Sequence, residues 1–145
     1  MIEREATVFV IDDDPSVRRG LERLLRSAGY LVELFASSRE FLERAQCDQA
    51  ACLVLDVRMP GQSGLELYES LVGGGYDIPT VFITGHGDIG MAVRAMKVGA
   101  VDFLPKPFDD QVFLDAVRGA IAARSRSRGD GKRRHPESFR SSSQE

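Results

Sequence analysis

Three aspartates in a row, Asp12, Asp13 and Asp14, follow the apolar run Thr7-Val8-Phe9-Val10-Ile11. Three further polar residues close similar runs: Asp56 after Ala51–Leu55, Thr84 after Pro79–Ile83, and Lys106 after Val101–Leu104. Carboxylates packed together repel one another unless a cation offsets them. An oxygen-rich, nitrogen-poor set suits a hard ion such as Mg2+. Asp14, before Pro15, reads as a helix cap, but Asp12 and Asp13 cannot both be caps, so the like-charge crowding favours metal binding over a purely structural cluster. Lys106, held between Pro105 and Pro107, would by itself be a surface lysine. Opposite the aspartates it becomes a partner for an anion or for Asp56. Thr84 by itself is an ordinary β-branched strand end, and its case rests on its company. Gly85 and Gly87 beside it would let backbone N–H groups approach a phosphate. Asp56 opens a turn-rich stretch that runs to Gly64. A carboxylate is already ionised, so next to a divalent cation and a lysine it has what phosphoryl transfer needs: an in-line nucleophile and charge neutralisation.

The elements that must position these groups alternate along the chain. The first strand, Thr7–Ile11, is continuously apolar, as expected of a strand covered on both faces. Asp14-Pro15 starts a helix whose stripe is Val17, Leu21, Leu24, Leu25 and Ala28, closed by Gly29. Leu31–Phe35 is the second strand, and Ser37 with Glu40 forms a capping box for a helix with Phe41 and Leu42 inside. The third pair is Ala51–Leu55 and Leu65–Val72, stopped by Gly73-Gly74-Gly75. The fourth is Pro79–Ile83 and Asp88–Val98. The fifth is Val101–Leu104 and a helix from near Asp109 that buries Val112, Phe113, Ala116, Val117, Ala120 and Ile121. Five βα units predict an α/β fold with a doubly wound parallel sheet, whereas a closed eightfold barrel would need roughly 250 residues. In such a sheet the C-terminal strand edge gathers ligands. Four strands deliver reactive groups to it, and only the second strand does not.

With 145 residues the chain holds one domain, 1–123, followed by a basic tail or linker, 124–145, without apolar periodicity and read as flexible. The tail carries seven Lys/Arg against three Asp/Glu, whereas residues 1–123 carry 12 basic and 19 acidic side chains. An acidic body with a basic tail is not the pattern of a fold whose own surface binds nucleic acid. No run reaches the roughly 18 apolar residues of a membrane helix, and Met1–Glu5 is too polar for a signal peptide, so no membrane partner and a cytoplasmic location are expected. Cys47 and Cys52 form no CxxC motif and read as reduced, small apolar fillers. His86 and His135 lie far apart, and neither sits at ligand spacing from another soft ligand, so a His-based metal site has no support.

Taken together, Ile11-Asp12-Asp13-Asp14, Leu55-Asp56-Val57-Arg58-Met59-Pro60-Gly61, Phe82-Ile83-Thr84-Gly85 and Lys106-Pro107-Phe108 closely resemble the receiver domain of two-component response regulators, over about Ala6 to Ala123. The stretches 83–88 and 95–103 look most like the FixJ-type branch. The resemblance implies a flavodoxin-like (βα)5 fold with strand order 2-1-3-4-5, in which Asp56 accepts a phosphoryl group from a sensor histidine kinase. It implies Mg2+ held by Asp13, Asp56 and the backbone carbonyl of Arg58, with Asp12 helping through water. It gives Lys106 and Thr84 the phosphoryl oxygens, makes Phe103 the aromatic that turns with Thr84, and makes the Lys106–Pro107 bond cis. It assigns switching to the face of the fourth helix, fifth strand and fifth helix, often a homodimer face. The protein would be a signalling phosphoacceptor that catalyses its own phosphorylation and dephosphorylation, and not an enzyme in the ordinary sense. Arg58 and His86, flanking the site, are expected to tune the phosphoryl lifetime.

The branch also implies a C-terminal output domain, which these residues do not contain, so truncation is favoured over a stand-alone receiver. DNA binding and control of transcription would belong to that domain. Two other readings compete. Asp12-x-Asp14 imitates the nucleophile motif of haloacid-dehalogenase phosphatases, which would leave Asp56 and the Met59-Pro60-Gly61 loop without a role. A flavin or nucleotide module on the same fold would need a glycine-rich loop where three aspartates stand.

Overall fold

Strands covered on both faces need unbroken apolar runs, and the helices that cover them need one apolar stripe each. The computed structural model describes residues 6–85 and 89–131; His86, Gly87, Asp88 and positions 132–145, including His135, lie outside the described residues. The chain alternates β1 (Thr7–Ile11), α1 (Pro15–Ser27), β2 (Leu31–Phe35), α2 (Ser38–Arg44), β3 (Ala50–Asp56), α3 (Gly64–Gly73), β4 (Thr80–Thr84), α4 (Ile89–Val98), β5 (Asp102–Pro105) and α5 (Asp110–Gly131). The five strands form one parallel sheet in the order β2-β1-β3-β4-β5, as the resemblance implied.

Side chains alternate across the sheet with the period of two that strands impose. Val8 and Val10 of β1 meet Leu21 and Leu25 of α1 and Phe113, Val117 and Ala120 of α5. Phe9 and Ile11 point the other way, into a core with Phe41 of α2, Leu65, Leu67 and Leu71 of α3, and Ala95 of α4. Phe9, Phe35 and Phe41 pack with ring centroids 5.3–6.2 Å apart, within the range that favours tilted and edge-to-face aromatic pairs.

The local signals act where they were expected. Asp14 caps α1, its carboxylate accepting from the Ser16 N–H and hydroxyl. Gly29 follows α1 with φ +96°, a left-handed conformation that glycine adopts without a Cβ clash. Ser37 accepts from the Glu40 N–H, but the Glu40 carboxylate accepts from the Ala36 N–H and not from Ser37, so the expected capping box is half formed.

Some expectations are corrected. Leu42 is 56% exposed and Val112 49% exposed, and Ala28 is also on the surface. Leu42 and Val112 each follow or precede a buried Phe in a helix, about 100° around the axis from it, and this turn carries them out of the buried stripe. The last helix also runs beyond Ala123. Helical backbone continues to Gly131, and the Arg124 guanidinium donates to the Ala50 carbonyl at 2.7 Å, which makes Arg124 part of the folded body. Apolar periodicity marks only the buried part of a helix; Arg is itself a good helix former and carries the helix onward without it. Cys52 is fully buried and its thiol is pushed up to about 12 by desolvation, in keeping with an inert filler.

Candidate functional site

The sheet register brings the strand-end groups together. Asp56 is the last residue of β3 and pairs in register with Ile83, one residue before Thr84, the last residue of β4. Thr84 stands opposite Pro105 on β5, and its carbonyl accepts from the Lys106 N–H at 2.6 Å. Lys106 therefore leaves β5 tied to the end of β4, and its side chain crosses to the carboxylates. Its Nζ lies 3.2 Å from Asp12 Oδ2 and 3.8 Å from Asp56 Oδ2. The Lys106–Pro107 peptide is cis.

Asp12, Asp13 and Asp56 each offer a carboxylate oxygen, and the three oxygens lie within 4.8 Å of one another. Asp12 is fully buried and constrained at both ends of its side chain: Asp14 N–H donates to Oδ1 at 2.9 Å, and Lys106 holds Oδ2. Asp13 is exposed and Asp56 is nearly buried at 5%. Arg58 N–H donates to Asp56 Oδ1 at 3.1 Å, which brings the Arg58 backbone to the same edge while its residue stays exposed.

Burial, followed by the charge of Asp12 and more weakly that of Asp13, pushes the Asp56 carboxyl up to about 6, although the Arg58 N–H and Lys106 favour the charged form. One ammonium among three carboxylates leaves net negative charge in a largely desolvated cluster. Three hard oxygen donors with an excess of negative charge fit a hard divalent cation, and the acidic pocket could bind one. Phe103 is half-buried against the core on the α2–α3–α4 side, with β5 placing it beside Phe82 in register.

Two residues at this edge escaped the sequence reading. Gly64 starts α3 at the end of the loop that follows Asp56, where an added Cβ would lie 1.9 Å from the Asp56 carbonyl oxygen and 3.1 Å from Leu55 Cγ. No local signal separates such a glycine from one in an ordinary turn, because the close approach is between segments. Arg18, on α1, donates from Nη1 to the Asp12 carbonyl at 2.6 Å. Its one signal was a basic residue near the start of a helix, the end where the dipole disfavours positive charge.

The phosphatase alternative loses its motif. Asp14 caps α1, and Asp12 is fully buried and already engaged by Lys106 and the Asp14 N–H, a poor position for a nucleophile. Comparison with known proteins points the same way. The family model described as the response regulator receiver domain matches residues 8–118. Nodulation protein W of Bradyrhizobium diazoefficiens is 54% identical over 129 residues, covering 89% of this chain and 56% of that protein. Response regulator protein TodT of Pseudomonas putida is 44% identical over 133 residues, covering 92% of this chain and 59% of that protein. Among solved structures, response regulator StyR superposes with a TM-score of 0.79 at 54% identity, covering 88% of this chain and 66% of that one. A crystal structure of FixJ-N gives a TM-score of 0.74 at 44% identity, covering 81% and 94%. The chain thus spans a little over half the length of the curated relatives it matches. Strand order, strand-end chemistry and similarity agree, and the chain belongs to the receiver domain family of two-component response regulators.

Proposed function

We propose that Asp56 is the phosphoryl acceptor of this receiver domain and that a sensor histidine kinase is its donor. The observation that carries the reading is the placing of Asp56: a carboxylate at the mouth of the sheet, clustered with those of Asp12 and Asp13 and 3.8 Å from the Lys106 ammonium. An Asp56 oxygen forms the new bond to phosphorus as the bond from phosphorus to the donor nitrogen breaks, and the displaced electron pair returns to the donor imidazole. Lys106 offers a cationic partner to the phosphoryl oxygens, and the Thr84 hydroxyl a hydrogen bond. Asp12, Asp13, Asp56 and the Arg58 carbonyl would hold Mg2+, which supplies neutralisation of the charge on the carboxylates and the incoming group.

Thr84 and Phe103, on the adjacent strands β4 and β5, form the route by which phosphorylation biases the α4–β5–α5 face. That face is exposed at Val93, Met96, Val101 and Val112 and suits a homodimer. Catalysis of its own phosphorylation and dephosphorylation, a cytoplasmic location, and DNA binding through an output domain outside these residues complete the proposal. Among the described residues no helix is long and apolar enough to cross a membrane.

Incubation with acetyl phosphate and Mg2+, followed by mass spectrometry, should show one acyl phosphate on Asp56 and none in Asp56→Asn. Steady phosphate release from small esters that is lost in Asp12→Asn but kept in Asp56→Asn would overturn the reading.

A further inference from the structure

The three clustered aspartates are held in different ways. Asp56 sits on a strand, and the Asp12 side chain is bonded to the Asp14 N–H and to Lys106. Asp13 is exposed, in the bend between β1 and α1, so its carboxylate depends on where the Asp12–Asp13 peptide plane lies. The Arg18 guanidinium meets that plane directly, with Nη1 donating to the Asp12 carbonyl oxygen at 2.6 Å in a charge-assisted bond. On the other side of the same residue the Asp12 N–H donates to the Phe35 carbonyl at 3.1 Å. The first turn of α1 carries no acidic residue, and a cation just beyond it opposes the helix dipole, so helix stability does not account for Arg18.

We infer that Arg18 is a positioning residue for divalent-cation binding, acting through the Asp12 carbonyl to keep the Asp13 carboxylate in the cluster. The inference rests on the metal role proposed for Asp12, Asp13 and Asp56. Its direction is opposite to that of simple charge. Removing a nearby cation makes the site more negative and should by itself tighten cation binding, whereas releasing the peptide plane should loosen it. Loss of an outer hydrogen-bond partner of a metal ligand typically costs roughly 10–100-fold in affinity.

The test is Mg2+ titration by calorimetry and Mn2+ titration by electron paramagnetic resonance on the full chain, with wild type, Arg18→Met and Arg18→Lys. The Met variant keeps an unbranched apolar side chain and removes the donor; Lys restores a charged donor. Arg18→Met should bind both ions about tenfold more weakly, with Arg18→Lys recovering much of the loss. Unchanged or tighter binding in Arg18→Met overturns the inference, as does failure of Lys to recover any affinity while both variants keep the wild-type circular dichroism. If Arg18→Met does not fold, Arg18→Lys and Arg18→Gln decide alone: the neutral donor Gln must bind more tightly than Met-like loss predicts, and equal weakening of both overturns it. Absence of Mg2+ binding in wild type would instead sink the underlying metal reading.

Discussion

Asp56→Asn replaces a crowded, nearly buried carboxylate with a neutral group of the same shape, and its effect on the metal-free protein can be worked out in advance. Burial and Asp12 raise the Asp56 carboxyl from its ordinary 3.8 to about 6. At about 1.4 kcal/mol per pH unit, ionising Asp56 in the folded protein therefore costs roughly 3 kcal/mol at neutral pH, an upper limit on what Asn can recover. Asn gives up the contact with Lys106 at 3.8 Å but can still accept the Arg58 N–H. The net gain should be about 1–2 kcal/mol, or roughly 3–8 °C in Tm for a domain of this size. The sign with pH follows from the raised value. Between 3.8 and about 6 the folded wild type holds more protons than the unfolded chain, so its stability falls as pH rises through that window relative to Asp56→Asn. The two proteins should be equally stable below pH ~4 and differ fully above pH ~6. Urea unfolding in EDTA at a series of pH values measures this directly, and a repeat in Mg2+ should shrink the difference, because bound cation stabilises the wild type. A variant no more stable than wild type at pH 7 in EDTA, or a difference that does not vary with pH, would refute the electrostatic account of the site.

Gly64→Ala should be severe despite its one added carbon, because the Cβ would fall 1.9 Å from the Asp56 carbonyl oxygen. A loss of about 1–3 kcal/mol or more by urea unfolding is expected, together with loss of acetyl phosphate reactivity; wild-type values for both would show that the α3 start can shift freely. Ending the chain after Gly131 should leave stability and phosphorylation unchanged. Ending it after Ala123 removes the Arg124 bond to the Ala50 carbonyl and should cost roughly 1.5–3 kcal/mol, read by the same unfolding assay; equal stability of the two shortened chains would count against Arg124 as part of the body.

Much of the fold was legible because its signals are local. The uninterrupted apolar run of β1, the Asp14-Pro15 start of α1 and the Ser37 cap of α2 are each decided within a few residues. The errors arose where locality ends. Leu42 and Val112 sit next to buried Phe residues and differ from them only in which way the helix is turned against the sheet, a matter settled by packing partners elsewhere in the chain. The extension of α5 past Ala123 was hidden because it lacks the apolar stripe by which helices are recognised.

The candidate site divides along the same line. Which residues stand at strand ends follows from sequence, since strand limits and the crossover rule for parallel sheets place Asp12, Asp56, Thr84 and Lys106 on one edge. That Lys106 reaches both Asp12, 94 positions away in the chain, and Asp56 was decided only in three dimensions, by the order and register of the strands between them. The close approach of Gly64 to the Asp56 carbonyl and the bond from Arg18 to Asp12 belong to the same class. Periodicity and capping are properties of neighbouring residues and can be read along a chain, whereas contact distances between separate segments come from the packing of the whole sheet and its helices.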